Sequence, residues 1–312
     1  MERTIEGLHH VTAIAGDPQA NIDFYTGVLG LRMVKQTVNY DDPGTYHLYY
    51  GNETGVPGTA LTFFSWAGAA QGRRGAGQAT ATAFAVPSGS LTYWAERLKS
   101  YDVDLGSPEE RFGSLVLRLT DHDGLLLELV EDASDDREPW TGGDVKGDHA
   151  IRGFHSVTLT EGNPAETGAM LEFLGYKNVG ENGNRARYRV GDRPGGYIDI
   201  VVDPAAWGGR VARGSVHHIA FRTPSDEAQV AWLESLKQRR VGVSPVQDRQ
   251  YFHSIYFREP GGVLFEIATD QPGFLADESV ETLGSTLRLP SWLEPHRQEI
   301  EASLPPIKLL AA

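Results

Sequence analysis

The chain of 312 residues contains no cysteine. Disulfides, thiolate metal ligands and cysteine nucleophiles are therefore excluded, and any metal site must be built from His, Asp and Glu. Positive charge is also scarce, because 28 Lys and Arg stand against 42 Asp and Glu, which gives a formal net charge of −14. This balance argues against a nucleic-acid partner and against binding to an anionic membrane surface.

Long hydrophobic runs and a signal-like start are missing as well. No stretch approaches the roughly 18 apolar residues of a membrane span, and the segment MERTIEGLHH lacks a basic region followed by an apolar one. Hydrophobic residues nevertheless make up 40% of the chain, enough for a sizeable core. We expect a soluble, cytoplasmic protein, and the length favours two domains of about 150 residues each.

What the sequence does contain is a unit of about 50 residues that occurs four times. Each unit begins with a strand, continues into a helix and ends in three strands, which is a β-α-β-β-β pattern. Helix starts are marked by signals such as Asp17-Pro18 and Asn163-Pro164. We expect the helix of the fourth unit to bury Val230, Leu233 and Leu236. The predicted first strands are 8–14, 80–86, 154–159 and 216–221.

The four units predict an α+β protein with two domains of curved mixed sheets. Units one and two form an N-terminal domain, 1–140, and units three and four form a C-terminal domain, 150–270. Between them, the polar segment 132–153 is typical of a linker. A C-terminal extension, 271–312, contains a helix that we expect to pack on the outside, over a site or a subunit contact. Whether the protein is a homo-oligomer is left open.

Two histidine pairs occupy the same position in the first strands of units one and four, in LHHVTA and VHHIAF. Side chains alternate along a strand, so only one member of each pair faces the inside of a curved sheet unless a bulge intervenes. We assign His10 and His218 to the inside. Their partners, His9 and His217, are expected to lie around the site or to serve packing.

Glu266 lies between two apolar residues in the last strand of unit four. An ionised carboxylate in such a strand needs a cation, and two imidazoles with one carboxylate can hold a metal ion. That ligand set leaves coordination positions open and is associated with non-haem Fe(II) enzymes. We therefore predict a metal site made of His10, His218 and Glu266.

The repeat predicts one metal site and not two. The position of His10 and His218 is occupied by Ser156 in unit three, and the position of Glu266 lies near Thr62 or Phe63 in unit one. In unit two that position is Glu128, which we expect to be a surface or salt-bridged residue. His155, which aligns with His9, is expected to be structural.

These motifs resemble the vicinal oxygen chelate superfamily, which is also called the glyoxalase/bleomycin-resistance/extradiol dioxygenase superfamily. Its fold is built from paired β-α-β-β-β modules. LHHVTA, DFYTGVLGLRMVKQTVNYDDPGTYHLYYG, RGFHS, VHHIAF and SIYFREPGGVLFEIATD are most similar to its hydroquinone ring-cleaving dioxygenases. The resemblance implies a small aromatic diol and O2 as substrates. The metal it implies for His10, His218 and Glu266 is Fe(II), with Mn(II) as the alternative ion.

The same resemblance implies a group of residues around the substrate, one of which takes a proton from it. These residues are His9, Thr12, His217, Arg249 and Tyr256. Two other functions stay open. A glyoxalase-type metal-dependent isomerase usually has four protein ligands, and unit one offers no matching carboxylate. A metal-free small-molecule binding protein of the bleomycin-resistance kind would not require the triad.

Overall fold

Two mixed β-sheets form the frame of the protein in the computed structural model, which describes residues 3–309. Module one consists of β1 (Leu8–Ala15), α1 (Pro18–Ile22), a π-helical turn (Asp23–Val28), β2 (Arg32–Asn39), β3 (Asp42–Gly51) and β4 (Ala60–Ser65). Module two consists of β5 (Gln78–Val86), α2 (Leu91–Ser100), β6 (Asp104–Leu105), β7 (Glu109–Arg111), β8 (Ser114–Thr120) and β9 (Leu126–Glu131).

The second half of the chain repeats this order. Module three consists of β10 (Gly153–Glu161), α3 (Pro164–Phe173), β11 (Lys177–Asn182), β12 (Arg185–Arg189) and β13 (Tyr197–Val202). Module four consists of β14 (Ser215–Thr223), α4 (Asp226–Gln238), β15 (Gln247–Asp248), β16 (His253–Arg258) and β17 (Leu264–Thr269). The extension carries 3-10 turns at Phe274–Ala276, Val280–Thr282 and Glu294–His296, followed by α5 (Arg297–Ser303). The predicted α+β class and the fourfold module pattern are confirmed.

Neither sheet is built from the pair of modules that the predicted domains would combine. The first sheet has the order β15-β16-β17-β14-β1-β4-β3-β2 and joins modules one and four. The second has the order β11-β12-β13-β10-β5-β9-β8-β6, with β7 beside β8, and joins modules two and three. The division into domains at 1–140 and 150–270 stays a prediction, and both sheets take strands from each side of it.

Local sequence explains the helix positions. Asp17 caps α1 by accepting hydrogen bonds from the amides of Gln19 and Ala20. On α4 the prediction for Val230 is wrong, because its side chain is 48% exposed while Trp232 is buried with Leu233 and Leu236. At 3.6 residues per turn, positions 232, 233 and 236 lie on one face of the helix. Position 230 lies beyond the margin of this face, and its side chain is therefore exposed.

The C-terminal extension covers the β2 edge of the first sheet. Gln36 on β2 forms a parallel bridge with Leu287, and its carbonyl accepts the Arg288 amide at 2.8 Å. Lys35, fully buried, contacts the carboxylates of Asp277 at 2.6 Å and of Glu278. The C-terminal extension therefore forms a strap that covers a strand edge which would otherwise be exposed. None of the helices between residues 3 and 309 has the length and apolar content needed to cross a membrane.

Candidate metal centre

The two histidine pairs lie side by side where β1 and β14 run antiparallel. The register between these strands skips His9 on one and His217 on the other, so each first histidine is the extra residue of a β-bulge. A bulge re-aims the side chains next to it. As a result both members of a pair come together, with Nδ1 atoms 2.9 Å apart in His9–His10 and 2.7 Å apart in His217–His218.

The second histidine of each pair meets Glu266 from β17. The Oε2 atom of Glu266 lies 2.9 Å from His218 Nε2 and 3.3 Å from His10 Nε2, and the two nitrogens are 3.4 Å apart. His10, His218 and Glu266 are only 2%, 4% and 0% exposed. Among residues 3–309 these are the only three His or acidic side chains whose candidate ligand atoms all lie within 4.8 Å of one another.

The surroundings of Glu266 fit a cation. Its Oε1 atom accepts a hydrogen bond from Ser254 Oγ, whereas its buried Oε2 receives no well-aligned hydrogen bond from any described residue. Burial raises the pKa of Glu266, but its close contacts with His10 and His218, whose positive charge favours the ionised carboxylate, outweigh burial and hold this pKa well below its ordinary value. An ionised oxygen that faces two imidazole nitrogens without a shared proton is a suitable metal ligand.

Hydrogen bonding fixes the ring nitrogen that His10 offers. The carbonyl of Thr269 can only accept, so His9 Nε2, 3.1 Å away, carries a hydrogen. Burial and, secondarily, the charge of His10 lower the pKa of His9 to about 3, so His9 is neutral and its Nδ1 is an acceptor. His10 Nδ1 must then donate to it, so when the His10 ring is neutral its lone pair is on Nε2, the atom that faces Glu266. This is the tautomer that metal ligation requires.

His217 completes a similar chain on β14. If His218 Nε2 presents its lone pair, its Nδ1 donates to His217 Nδ1. Burial, followed by the charge of His218, lowers the pKa of His217 to about 3 and keeps that ring neutral. The hydrogen of His217 therefore resides on Nε2, its remaining polar atom, on a ring that lines the neighbouring cavity.

Thr62 occupies the position in module one that Glu266 occupies in module four. This residue pairs with Thr12 across β1 and β4 in the same way that Glu266 pairs with Ala220 across β14 and β17. Thr62 Oγ1 is held by Thr12 Oγ1 at 2.7 Å and by His47 Nε2 at 2.9 Å. The register thus selects Thr62 over Phe63, and module one contributes no carboxylate at this position.

A cavity of about 390 Å³ opens beside His10 and His218. Aromatic side chains form much of its wall, and histidine, amide, carboxylate and guanidinium side chains line most of the rest. Its volume exceeds the ~150 Å³ that accommodates a benzene ring, so a substituted single ring fits. The further lining residues are Asn39, Tyr40, Asp41, His47, Tyr49, Phe64, Trp66, His217, Gln247, Arg249, Phe252, Tyr256 and Leu264.

Arg249 and Tyr256 form a pair in this wall. Arg249 Nε lies 3.2 Å from the Tyr256 hydroxyl, and the guanidinium also contacts Asp41 at 3.2 Å. Burial, together with the charge of Glu266, raises the pKa of Tyr256 well above its usual value despite the opposing effect of Arg249. Because the guanidinium only donates, the phenol accepts from it and keeps its own hydrogen for a partner in the cavity.

Other predicted residues lie off the cavity. Thr12 is fully buried, and its hydroxyl is hydrogen-bonded to that of Thr62. In the second sheet, Glu128 forms two contacts with Arg111, at 2.9 and 3.0 Å, which confirms an ion pair but places it in the interior and not on the surface. His155 is buried and bonds Ser156 Oγ at 3.0 Å.

Sequence reasoning missed the wall of the cavity formed by module one. His47 bonds Tyr49 OH through Nδ1 at 2.9 Å and Thr62 through Nε2. A signal was present for Tyr49, because it stands opposite Thr62 as Tyr256 stands opposite Glu266. Phe64 and Trp66, in and just after β4, carried no such signal, since an aromatic residue in an apolar strand segment is usually part of a core.

Comparison with known proteins agrees with this geometry. Residues 7–129 and 153–267 match the family model of the glyoxalase/bleomycin resistance protein/dioxygenase superfamily. The chain is 49% identical over 310 residues to the Bacillus subtilis protein provisionally named ring-cleaving dioxygenase MhqO, covering 99% of both chains. It is 38% identical over 311 residues to the chlorohydroquinone/hydroquinone 1,2-dioxygenase of Sphingobium indicum, covering 95% of both.

Solved structures show the same fold. A crystal structure of a Bacillus subtilis protein, provisionally described as a dioxygenase, has a TM-score of 0.96 and 48% identity, covering 100% of both chains. A glyoxalase I mutant from Zea mays has a TM-score of 0.65 at 16% identity, covering 85% of this chain and 94% of its own, and shares the fold. From the modules, the histidine pairs and these matches, the chain belongs to the glyoxalase/bleomycin resistance protein/dioxygenase superfamily.

Proposed function

We propose that this protein is a non-haem Fe(II)-dependent dioxygenase that inserts O2 into a hydroquinone-like or catechol-like aromatic diol and opens the ring. The observation that supports this most directly is a three-ligand set, His10, His218 and Glu266, beside an aromatic cavity, with Thr62 at the position of module one equivalent to Glu266. When bound there, Fe(II) would supply open coordination positions for a diol oxygen and O2 and a route for electrons between them.

Residues of the chain would orient the diol through hydrogen bonds to its oxygens. Tyr256, kept protonated by burial, is positioned to donate a hydrogen bond to an oxygen of the ring, and Arg249 holds the phenol. His217, neutral and on the cavity wall, carries its hydrogen on Nε2 and can donate a hydrogen bond to an oxygen of the bound diol. The aromatic wall excludes water from the ring and packs on its faces.

A glyoxalase-type isomerase is the second candidate, because the fold is shared with glyoxalase I. The threonine at position 62 counts against it, since its hydroxyl is already engaged by Thr12 and His47. A metal-free binding protein would have no need for the buried, otherwise unpaired Glu266 oxygen. Both alternatives are separated from the dioxygenase by one set of measurements.

That experiment starts from protein purified without oxygen and loaded in parallel with Fe(II), Mn(II) or Zn(II). Oxygen uptake is followed with a panel of hydroquinones and catechols, and isomerisation is followed with a glutathione hemithioacetal. We expect O2 consumption with a diol, equimolar with ring opening, and highest with iron. Metal binding without diol-dependent O2 uptake, accompanied by hemithioacetal turnover, would establish the isomerase instead. The same panel ranks Fe against Mn and hydroquinone against catechol.

Three further expectations belong to this proposal. The protein takes part in the breakdown of aromatic compounds, resides in the cytoplasm and has no nucleic-acid or membrane partner. Its formal net charge of −14 supports the last of these. Sedimentation of the metal-loaded protein determines whether it forms a homo-oligomer.

A further inference from the structure

The internal repeat relates two corners of the molecule, and one of them lacks a cation that the other has. The bulged residues His9 and His155 align β1 with β10, and the bulged residues His217 and Thr80 align β14 with β5. Counting from these residues, Gly16 corresponds to Gly162 and Arg213 corresponds to Ala76. Glu266 and Glu128 have equivalent partners on β14 and β5, so they occupy the same position in their modules. Counting back from these two residues, Gly261 corresponds to Asp123.

The first corner contains a paired carboxylate. Asp123 accepts a hydrogen bond from the Gly16 amide at 2.7 Å, and His122 Nε2 lies 3.3 Å from it. Arg213 Nε approaches the same carboxylate at 3.7 Å. The arginine side chain lies over Gly16, since a β-carbon there would be 2.7 Å from Arg213 Cδ.

The second corner has a carboxylate but no arginine. Glu161, at the end of β10, fills the space of the missing side chain at Gly261, because a β-carbon there would collide with its carboxylate. Ala76 stands where Arg213 stands in the first corner, and a β-carbon at Gly162 would meet nothing within 4 Å. This empty space belongs to a cavity of about 370 Å³, lined by Ala76, Gly77, Glu161, Gly162, Asn163, Glu166, Pro260 and Gly261.

No positively charged side chain among residues 3–309 forms an ion pair with Glu161. Its side chain belongs to a residue that is only 2% exposed, and Oε1 has no hydrogen-bond partner among residues 3–309. The neighbouring Glu259 is already satisfied by Thr167 Oγ1 at 2.7 Å and by the amides of Gly261 and Val263, each at 2.8 Å. Burial and then the charge of Glu259 raise the pKa of Glu161 to about 7. A buried carboxylate in this state gains from an added cation.

We propose that this cavity binds a guanidinium group, with Glu161 as its principal partner and Glu166 as a second acidic residue in its wall. The equivalent corner is filled by a guanidinium of the chain itself, which sets the shape that the second corner leaves empty. A dedicated divalent-cation site is disfavoured, because no three His or acidic ligands converge here in the described part of the chain. The guanidinium belongs either to a free small molecule or to an arginine of a second copy of the chain.

The test uses methylguanidinium as the probe and metal-loaded protein at about pH 8, where most of Glu161 is ionised. Isothermal titration should show saturable binding. Glu161→Gln should weaken it at least about tenfold, because the charge that pairs with the cation is removed. Ala76→Arg should also weaken it, because an internal arginine then fills the corner. Glu172→Gln, at an exposed position of α3, serves as the matched control and should bind as the wild type does.

Several results would overturn the proposal. These are the absence of saturable binding in the wild type, equal binding in both substituted variants and the wild type, or Glu161-dependent binding of Ca²⁺ or Mg²⁺ in place of methylguanidinium. Sedimentation of the same proteins distinguishes the two sources. Self-association that depends on Glu161 and is reversed by methylguanidinium identifies an arginine of a second copy, whereas binding to a protein that stays monomeric identifies a free ligand. Neither arm depends on the dioxygenase activity.

Discussion

At the scale of single residues, each histidine of the two pairs has a separate task. The carbonyl of Thr269 determines which nitrogen of His9 carries the hydrogen, and His9 in turn determines this for His10. The nitrogen of His10 that is free to bind a metal is therefore selected by a backbone carbonyl two hydrogen bonds away. On β14 the order is reversed, because ligation by His218 would determine which nitrogen of His217 carries the hydrogen. Partners of this kind orient metal ligands and raise their basicity.

Replacing a proposed ligand should remove the metal. His218→Ala leaves one imidazole and one carboxylate, so we expect the bound metal to fall from about one per chain to below about a tenth under the same loading conditions. Metal analysis after gel filtration measures it. His155→Ala is the control, since it deletes a buried histidine of the second sheet. Unchanged metal content in His218→Ala would show that the site is elsewhere.

Tyr256 should affect turnover without affecting the metal. Tyr256→Phe removes the hydroxyl that is free to donate into the cavity, and we expect kcat to fall about a hundredfold at constant metal content. Tyr176→Phe removes another buried hydroxyl, one without a hydrogen-bond partner among the described residues, and should leave kcat unchanged. Steady-state O2 uptake on both metal-loaded variants provides the comparison. Equal rates for Tyr256→Phe and the wild type would exclude a role for the phenol.

At the scale of elements, the paired strands β1 and β14 and the C-terminal strap together shape the site. The bulges bring both histidines of each pair to one location, which regular strands cannot do. The strap supports the opposite wall, because Phe274 packs on Tyr49, with ring centroids 5.1 Å apart, and on Tyr251 at 5.2 Å. Tyr49 lines the cavity, so a segment outside the modules stabilises the site from behind.

The ion pairs of Lys35 should stabilise the attachment of the strap. Lys35→Met leaves Glu278 buried without its closest cation, which should lower the free energy of unfolding by about 3 kcal/mol. Lys237→Met breaks a surface ion pair with Glu234, in which Nζ and Oε1 are 3.0 Å apart. This substitution should change the free energy of unfolding by less than about 0.5 kcal/mol. Urea unfolding of the two variants gives both values. A similar small effect for both would mean that the buried pair contributes no more than a surface pair.

At the scale of the whole molecule, the two sheets are related constructions with different centres. In the first sheet Glu266 meets two imidazoles, and in the second the equivalent Glu128 meets the guanidinium of Arg111. In the same sheet Arg187 forms a bidentate ion pair with Asp199, in which two guanidinium nitrogens donate to the two carboxylate oxygens at 2.8 and 2.9 Å. Internal ion pairs thus balance the buried charge where no metal site is formed.

The buried histidine of the second sheet should make stability depend on pH. Burial, followed by the charge of Arg187, lowers the pKa of His155 to about 4 in the folded protein, against 6.5 for an unperturbed histidine. The unfolded chain therefore takes up a proton below about pH 6.5 that the folded chain refuses until about pH 4, and stability falls through this window. The slope from this residue is at most about 1.4 kcal/mol per pH unit.

His155→Gln keeps a neutral polar side chain and removes this titration. Urea unfolding at about pH 7, 5.5 and 4.5 should show a shallower loss of stability in the variant than in the wild type. At about pH 7 His155 is neutral in the folded protein and mostly neutral in the unfolded chain, so its protonation should contribute little to the difference in free energy of unfolding between the wild type and the variant. An identical slope in both proteins would mean that His155 does not contribute to the acid dependence.

The sequence by itself determined the module pattern, the positions of the histidine pairs and the three proposed ligands. It could do so because these features are local or repeated: the start signals of helices depend on neighbouring residues, and a shared position in a repeat can be counted. The same counting narrowed the position equivalent to Glu266 in module one to Thr62 or Phe63, and the strand register selects Thr62. Val230 was misplaced because the limits of a helix face depend on what packs against it.

Only the tertiary structure decided how the modules pair, where the bulges lie and which side chains line the cavity. Pairing of β1 with β14 joins residues more than 200 positions apart, and no local preference specifies it. Bulges arise from the fit between two strands, so a single strand does not reveal that His9 and His217 are the extra residues. The unpaired Glu161 likewise became visible only when burial and contacts were known, since its partner's absence is a property of the space around it.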